Sequence, residues 1–254
     1  MKNDGKMSRR DKFKRGIYIL PNAFTTLNLF CGFFGIINAI DGNFDVAAIA
    51  ILVACIFDSL DGKVARATNT TSEFGIQYDS LADLVSFGLA PSLLMYLWAF
   101  KPMGRIGWLA AFLFTTCGAL RLARFNTMAE ETPSAHFLGL PIPGAASMVA
   151  TMILFSIKSS SLPVENYRLG YLLTIYILSF LMVSSIKYPS FKKSALFQKR
   201  RFSSLVGVVL VFTLMVQNPP LMLFSVGIIY IVVSPVLTFL FEIKNKHNEK
   251  VKNL

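Results

Sequence analysis

Four aspartates with regular spacing are the residues of this sequence best suited to chemistry. Asp58 and Asp61 lie three residues apart. Asp79 and Asp83 lie four apart, so each pair projects from one face of a helix. The connection through residues 62–78 lets two helices meet as antiparallel neighbours, with all four carboxylates in one small volume. Like charges this close disfavour one another's ionised form, so the spacing predicts a pair of divalent cations such as Mg²⁺ or Mn²⁺.

These acids lie in a strongly apolar chain. Of its 254 residues, 54% are hydrophobic and 15% are charged, whereas a soluble domain has about 25% charged residues. About 20 apolar residues cross the hydrocarbon core as a helix, so the composition predicts an all-α polytopic membrane protein and excludes an ordinary soluble domain or a disordered chain. Eight apolar runs are expected to span: residues 17–40, 44–66, 79–100, 106–125, 138–157, 168–186, 203–217 and 220–241.

The basic residues, which give a net charge of +11, predict the orientation of these spans. All but four of the 25 Lys and Arg residues fall on one side of an eight-span arrangement, so both termini are expected to be cytoplasmic. Basic segments between apolar runs favour contact with anionic membrane lipids and argue against nucleic-acid binding. The turn at Asn218-Pro219-Pro220 leaves open a re-entrant hairpin in place of the last two spans.

The sequence therefore predicts one membrane-embedded domain, residues 17–241, between a basic segment (1–16) and a basic tail (242–254). The first segment either lies on an anionic leaflet as an interfacial helix or is simply solvated. It precedes no small-residue cleavage site, so the first span is expected to be retained. The three cysteines lack metal-binding spacing and are expected to be buried packing thiols; they are Cys31, Cys55 and Cys117.

The residues around the acids complete a longer pattern. It reads Asp58-x2-Asp61-Gly62-x2-Ala65-Arg66-x8-Gly75-x3-Asp79-x3-Asp83. This pattern resembles the signature of the CDP-alcohol phosphatidyltransferase family at every position. The resemblance implies an integral membrane enzyme with a six-helix catalytic core, usually a homodimer. It also implies a reaction in which an alcohol attacks the β-phosphorus of a CDP-linked lipid and CMP leaves.

The resemblance assigns a role to each residue of the signature. Asp58, Asp61 and Asp79 would bind two metal ions, with Asp83 a further ligand and the base for the incoming hydroxyl. The residues themselves do not rank the four acids as bases. The CDP pocket would be lined by Gly62, Ala65, Arg66 and Gly75.

Three further stretches resemble the phosphatidylserine synthase branch of the family. They are Pro21-Asn22-x2-Thr25-x2-Asn28, Ser86-Phe87-Gly88-x-Ala90-Pro91, and Arg121-Leu122-Ala123-Arg124-Phe125-Asn126 followed by Gly139-Leu140-Pro141-Ile142-Pro143. The resemblance, which covers about residues 18–160, implies transfer of a phosphatidyl group from CDP-diacylglycerol to L-serine at the cytoplasmic side of the inner membrane. Another acceptor, such as glycerol 3-phosphate or an inositol compound, stays open. A cation transporter is less favoured, because its acids would be spread along a pore.

Five residues of these stretches are candidates for binding, each with a plainer alternative. Arg121 and Arg124 could hold a lipid phosphate or the serine carboxylate, or only anchor the chain by the positive-inside rule. Asn126 could bind the amino-acid substrate or cap a helix end. Thr25 and Asn28 could reach the CDP moiety, or bond to a neighbouring helix instead.

Overall fold

The computed structural model of the chain describes residues 9–68, 72–131, 139–159, 164–186, 217 and 219–231. All regular structure within these ranges is helical. The helices used below are α1 Arg9–Ile40, α2 Phe44–Thr68, α3 Glu73–Met103, α4 Arg105–Glu131, α5 Ile142–Lys158, α6 Val164–Val183 and α7 Pro219–Ile231.

The helices confirm the all-α prediction, and α1 to α6 overlap the first six predicted spans in order. Helix α1 begins at Arg9, so part of the basic segment continues directly into the first span. The run 203–217 lies outside the described residues except for residue 217, as do the loop 187–202 and the tail 242–254. The count of eight spans and the cytoplasmic termini therefore stay predictions.

Within the ranges that the structure describes, four helices are long and apolar enough to cross a membrane: α1 from Leu20, α3, α4 as far as Met128, and α6. Helices α5 and α7 are apolar but shorter. Large apolar side chains cover the outer faces, for example Phe30, Phe112 and Phe180, which are 61%, 63% and 72% exposed. Faces of this kind match hydrocarbon rather than water, so the fold is that of a helical integral membrane protein.

Helix α1 lies against both α2 and α3, because small residues let the backbones approach. A Cβ on Gly35 would lie 3.3 Å from the backbone oxygen of Ala47 in α2. A Cβ on Gly32 would overlap the side chain of Ser86 in α3. This close crossing brings polar residues one and two turns before Gly32 within hydrogen-bond reach of the neighbouring helices.

Helix α3 is irregular in the part that follows the second acid pair. Ser72 caps its start, where the serine Oγ accepts a 3.0 Å hydrogen bond from the backbone N–H of Gly75. The first π-helical turn begins directly after Asp83, and such turns occur frequently at functional sites. The segments of α3 are α-helix Glu73–Asp83, π-helix Leu84–Leu89, α-helix Ala90–Met95, π-helix Tyr96–Phe100 and 3-10 helix Lys101–Met103.

The chain before α5 is fixed against the end of α6. Gly139 has φ +80° and donates its backbone N–H to the backbone oxygen of Ile186 at 2.8 Å. Leu140 donates to the backbone oxygen of Leu181 at 2.9 Å. A Cβ on Gly139 would overlap the backbone oxygen of Met182, so both its φ and its surroundings require glycine. The start of α5 is thereby held beside the end of α6.

Candidate active site

The two predicted acid pairs meet near the end of α2 and the start of α3. One carboxylate oxygen each from Asp58, Asp61 and Asp79 lies within 4.8 Å of the others. Asp83, one turn further along α3, is 7% exposed and interacts electrostatically with Asp58 and Asp79. The expectation that the four carboxylates share one small volume is confirmed.

Helix α1 supplies two buried side chains that contact these acids. Thr25 Oγ1 lies 3.1 Å from Asp61 Oδ2 and 3.2 Å from the backbone oxygen of Pro21, so its proton is shared between two acceptors. Asn28 Nδ2 donates a 3.0 Å hydrogen bond to Asp83 Oδ1. Of the alternatives for Thr25 and Asn28, the structure contains the bonds to neighbouring helices.

A smaller cavity of about 150 Å³ lies on one side of the acids. Its wall includes the four signature residues predicted to contact the CDP moiety, together with two of the acids. Gly75 leaves little room there, since a Cβ on it would lie 3.1 Å from Ser72 Oγ. The lining residues are Pro21, Asn22, Thr25, Asp61, Gly62, Ala65, Arg66, Ser72, Gly75, Ile76 and Asp79.

A larger cavity of about 770 Å³, within the size range of small-molecule sites, also borders the acids. Of these two cavities, Asp58 and Asp83 line the larger, Asp61 lines the smaller, and Asp79 and Ile76 line both. The two cavities therefore adjoin at the acid cluster, and Asp79 is the acid that they share. The lining residues are Asp58, Glu73, Ile76, Gln77, Asp79, Ser80, Asp83, Arg121, Leu122, Phe125, Asn126, Pro141 and Pro143.

The predicted binding residues of α4 have different positions. Arg121 is 8% exposed, lines the larger cavity and interacts electrostatically with Asp83 and Asp58. Arg124 lines neither cavity; its Nη1 donates to the backbone oxygen of Val183 at 3.2 Å, at the end of α6. A positive charge near a helix C-terminus stabilises the helix, so Arg124 contributes here to the stability of α6.

Sequence reasoning did not identify three polar residues on the wall of the larger cavity. Glu73, Gln77 and Ser80 share one face of α3, and Ser80 Oγ accepts a 3.0 Å hydrogen bond from Asn126 Nδ2. Their spacing of four and three residues extends back along the helix from Asp83, so the same helical periodicity could have found them.

The acids fit a divalent metal on structural grounds. Asp79 Oδ1 is buried and has no hydrogen-bond partner among the residues that the structure describes. Two further carboxylates, those of Asp58 and Asp61, lie beside it, so the cluster needs positive charge. Carboxylate oxygens are the ligands that hard ions such as Mg²⁺ and Mn²⁺ prefer. These three residues could therefore hold divalent metal.

Comparison with known proteins agrees with this arrangement. The family model for CDP-alcohol phosphatidyltransferase matches residues 18–183. A CDP-diacylglycerol–serine O-phosphatidyltransferase of Helicobacter pylori is 44% identical over 177 residues, which are 70% of this chain and 74% of that protein. The Bacillus subtilis enzyme of the same name is 37% identical over 69% of this chain and 93% of its own length. An archaetidylserine synthase of Methanothermobacter thermautotrophicus is 38% identical over 70% and 73%.

Proposed function

The chain belongs to the CDP-alcohol phosphatidyltransferase family, and from this membership we propose that it makes phosphatidylserine from CDP-diacylglycerol and L-serine, with release of CMP. The single observation that carries the proposal is the pair of cavities that meet at the acid cluster. A transferase with two substrates needs a space for each of them on opposite sides of the reacting phosphorus. The two relatives named above as serine O-phosphatidyltransferases cover 70% and 69% of this chain.

The division of the acids between the cavities suggests which substrate occupies each one. The smaller cavity, with Gly62, Ala65, Arg66 and Gly75 on its wall, would bind the CDP moiety. The larger cavity would receive serine, because Asp83 lines this cavity and is not among the residues that line the smaller one. In-line displacement places the attacking and leaving oxygens on opposite sides of phosphorus, which matches this division.

Asp83 is the proposed base. Its Oδ1 is held by Asn28, and a carboxylate positioned within hydrogen-bond reach of a hydroxyl can accept its proton. The serine oxygen then forms a bond to the β-phosphorus, while the bond from that phosphorus to the oxygen of CMP breaks. Two divalent ions held by the acids would neutralise charge on the phosphate oxygens. The chain's own part is to hold the two substrates on either side of Asp79.

The charges on the larger cavity favour serine over a phosphorylated acceptor. Four acids and one base are among its described lining residues, so the wall is negative before metal binds. Two divalent cations would offset the four signature acids, which leaves Glu73 and Arg121 as one negative and one positive group. Serine carries the same pair of charges as a zwitterion, whereas glycerol 3-phosphate or inositol phosphate is a net anion. Arg121 is the proposed partner of the serine carboxylate.

The protein is an integral membrane protein. Its orientation and the membrane in which it lies are proposed from the sequence. In this proposal both termini and the active site are on the cytoplasmic side of the inner membrane, which the positions of the basic segments support. Residues 17–241 form one membrane domain in this proposal, and the working unit is a homodimer, as the resemblance implies.

The test is CMP release by detergent-purified protein supplied with CDP-diacylglycerol and either Mg²⁺ or Mn²⁺. L-serine, glycerol 3-phosphate and myo-inositol 1-phosphate are added singly. We expect release with serine alone, abolished by EDTA and restored by excess metal. Release with another acceptor would keep the family and overturn the choice of serine. Metal-independent release would overturn the role assigned to the acids.

A further inference from the structure

Asn126 lies on the wall of the larger cavity, where Ser80 of helix α3 holds its side chain. Asn126 Nδ2 donates a 3.0 Å hydrogen bond to Ser80 Oγ, and both residues line this cavity. Helix α4 continues to Glu131, so Asn126 lies inside the helix and not at its end. Of the alternatives for Asn126, capping a helix end therefore does not fit the structure.

Ser80 determines which atom of the Asn126 amide lies against it. A hydroxyl has one proton to donate. Ser80 Oγ donates this proton to the backbone oxygen of Ile76 at 3.0 Å, one turn earlier in α3. Because Ser80 Oγ can then only accept from Asn126, the amide atom beside it must be the nitrogen. The amide oxygen, Oδ1, makes no hydrogen bond to the residues that the structure describes.

The free amide oxygen favours one chemical class of ligand. An amide oxygen accepts hydrogen bonds and donates none, so it fits an ammonium group, which has N–H donors only. The four acids and one base on the described wall of the cavity also favour a cation there. Arg121, on the same wall and the same helix, is the proposed partner of a carboxylate. Arg121 and Asn126 together match the two charged groups that an amino acid carries on its α-carbon.

We propose that Asn126 Oδ1 binds the α-ammonium group of the acceptor and that Ser80 is the positioning residue that turns this oxygen toward it. This inference rests on the proposed function, because it places serine in the larger cavity. Arg121 alone would hold any acceptor that has a carboxylate. The pair of Asn126 and Ser80 would distinguish an amino acid from a hydroxy acid.

The test measures formation of phosphatidylserine from labelled L-serine by Asn126→Leu, with two competing analogues. Ethanolamine has the ammonium group without a carboxylate, and 3-hydroxypropionate has the carboxylate without an ammonium group. Leucine is similar in shape to asparagine but offers no acceptor. We expect the KM for serine and the Ki of ethanolamine to rise about 10-fold, as for a lost hydrogen bond to a charged group. The Ki of 3-hydroxypropionate, the kcat and the KM for CDP-diacylglycerol should stay within about twofold of wild type.

Variants of Ser80 test its positioning role. Ser80→Ala should raise the KM for serine about 2- to 10-fold, as for the loss of a neutral hydrogen bond, and Ser80→Thr, which keeps a hydroxyl, should restore it. Ser225→Ala is the matched control, because Ser225 Oγ donates to the backbone oxygen of Leu221 in its own helix. Asn38→Leu is the control for loss of an amide on an exposed part of α1. Both controls should match wild type.

The outcomes separate this inference from the proposed function. With active wild type, a KM for serine in Asn126→Leu equal to that in Asn38→Leu would overturn the inference alone. A Ki of 3-hydroxypropionate that rises together with the KM for serine would also overturn it, because the amide would then act on the carboxylate or on the shape of the cavity. A lower kcat together with a lower apparent Tm would do the same by indicating a role in the fold. Failure of wild type to form phosphatidylserine from serine would overturn the proposed function itself.

Discussion

Replacing Asn28 by leucine should lower the rate of phosphatidyl transfer while leaving the protein folded. Asn28 is fully buried, and its Nδ2 holds Asp83 Oδ1 at 3.0 Å. Leucine has a similar shape but no donor, so the variant removes the hydrogen bond without leaving a large cavity. Asp83 would keep its charge and lose the contact that orients it.

The size of the effect follows from this contact. A hydrogen bond to a charged group contributes about 1.5–3 kcal/mol, and each 1.36 kcal/mol changes a rate about tenfold. We therefore expect kcat to fall about 10- to 100-fold. Stability should change less, because Asn28 Oδ1 has no hydrogen-bond partner among the described residues and its removal eliminates an unsatisfied polar atom. Asn28→Asp should be less active still, since it sets a second carboxylate against Asp83.

The assay is steady-state CMP release with serine and CDP-diacylglycerol, together with a thermal melt of the same preparation. Asn38→Leu is the matched control, because among the described residues the Asn38 amide bonds only to the backbone oxygen of Phe34 in its own helix. This control should keep kcat within about twofold of wild type. A kcat for Asn28→Leu equal to the kcat for Asn38→Leu would refute the idea that Asn28 positions Asp83, the proposed base.

Three further predictions concern the acids, the helix crossing and the two arginines. Asp58→Asn and Asp79→Asn should abolish CMP release but leave membrane insertion intact, as measured in purified membranes, since each removes a proposed metal ligand and a partly buried charge. Gly32→Ala should lower the apparent Tm, because the added methyl group would overlap Ser86. Overpacking of this kind lowers the free energy of unfolding by about 1–3 kcal/mol. Arg121→Ala should raise the KM for serine at least 10-fold. Arg124→Ala should lower the Tm instead, with KM unchanged.

The sequence was sufficient to predict the helices and the meeting of the acids. Apolar runs fix where helices lie in hydrocarbon, and the spacing of Asp58, Asp61, Asp79 and Asp83 fixes which faces carry charge. Both patterns involve residues that are close together in the chain, so they can be detected in a single sequence. The smaller cavity was also predictable, because its predicted CDP contacts belong to the same signature as the acids.

The sequence could not predict contacts that depend on how helices cross. The hydrogen bonds of Thr25 and Asn28 need the close approach of α1 to α2 and α3, which small residues permit but do not specify. The π-helical turn after Asp83 leaves no periodic signal over six residues. The stacking of Phe224 on Phe155, with ring centroids 5.3 Å apart, joins segments far apart in the sequence, the second of them beyond the recognised pattern.

The bonds from α1 suggest how the site is kept ready for metal. Asp61 and Asp83 are buried, and each accepts a hydrogen bond from a neutral donor, Thr25 or Asn28. Neutral donors can orient a carboxylate without neutralising it, so its charge remains available to a cation. Asp79, between the two cavities, keeps one buried oxygen without a partner in the described structure. Carboxylates that are already held in position need less reorganisation when metal and substrate bind. The free energy of folding has then already overcome the repulsion among the acids, so turnover does not have to.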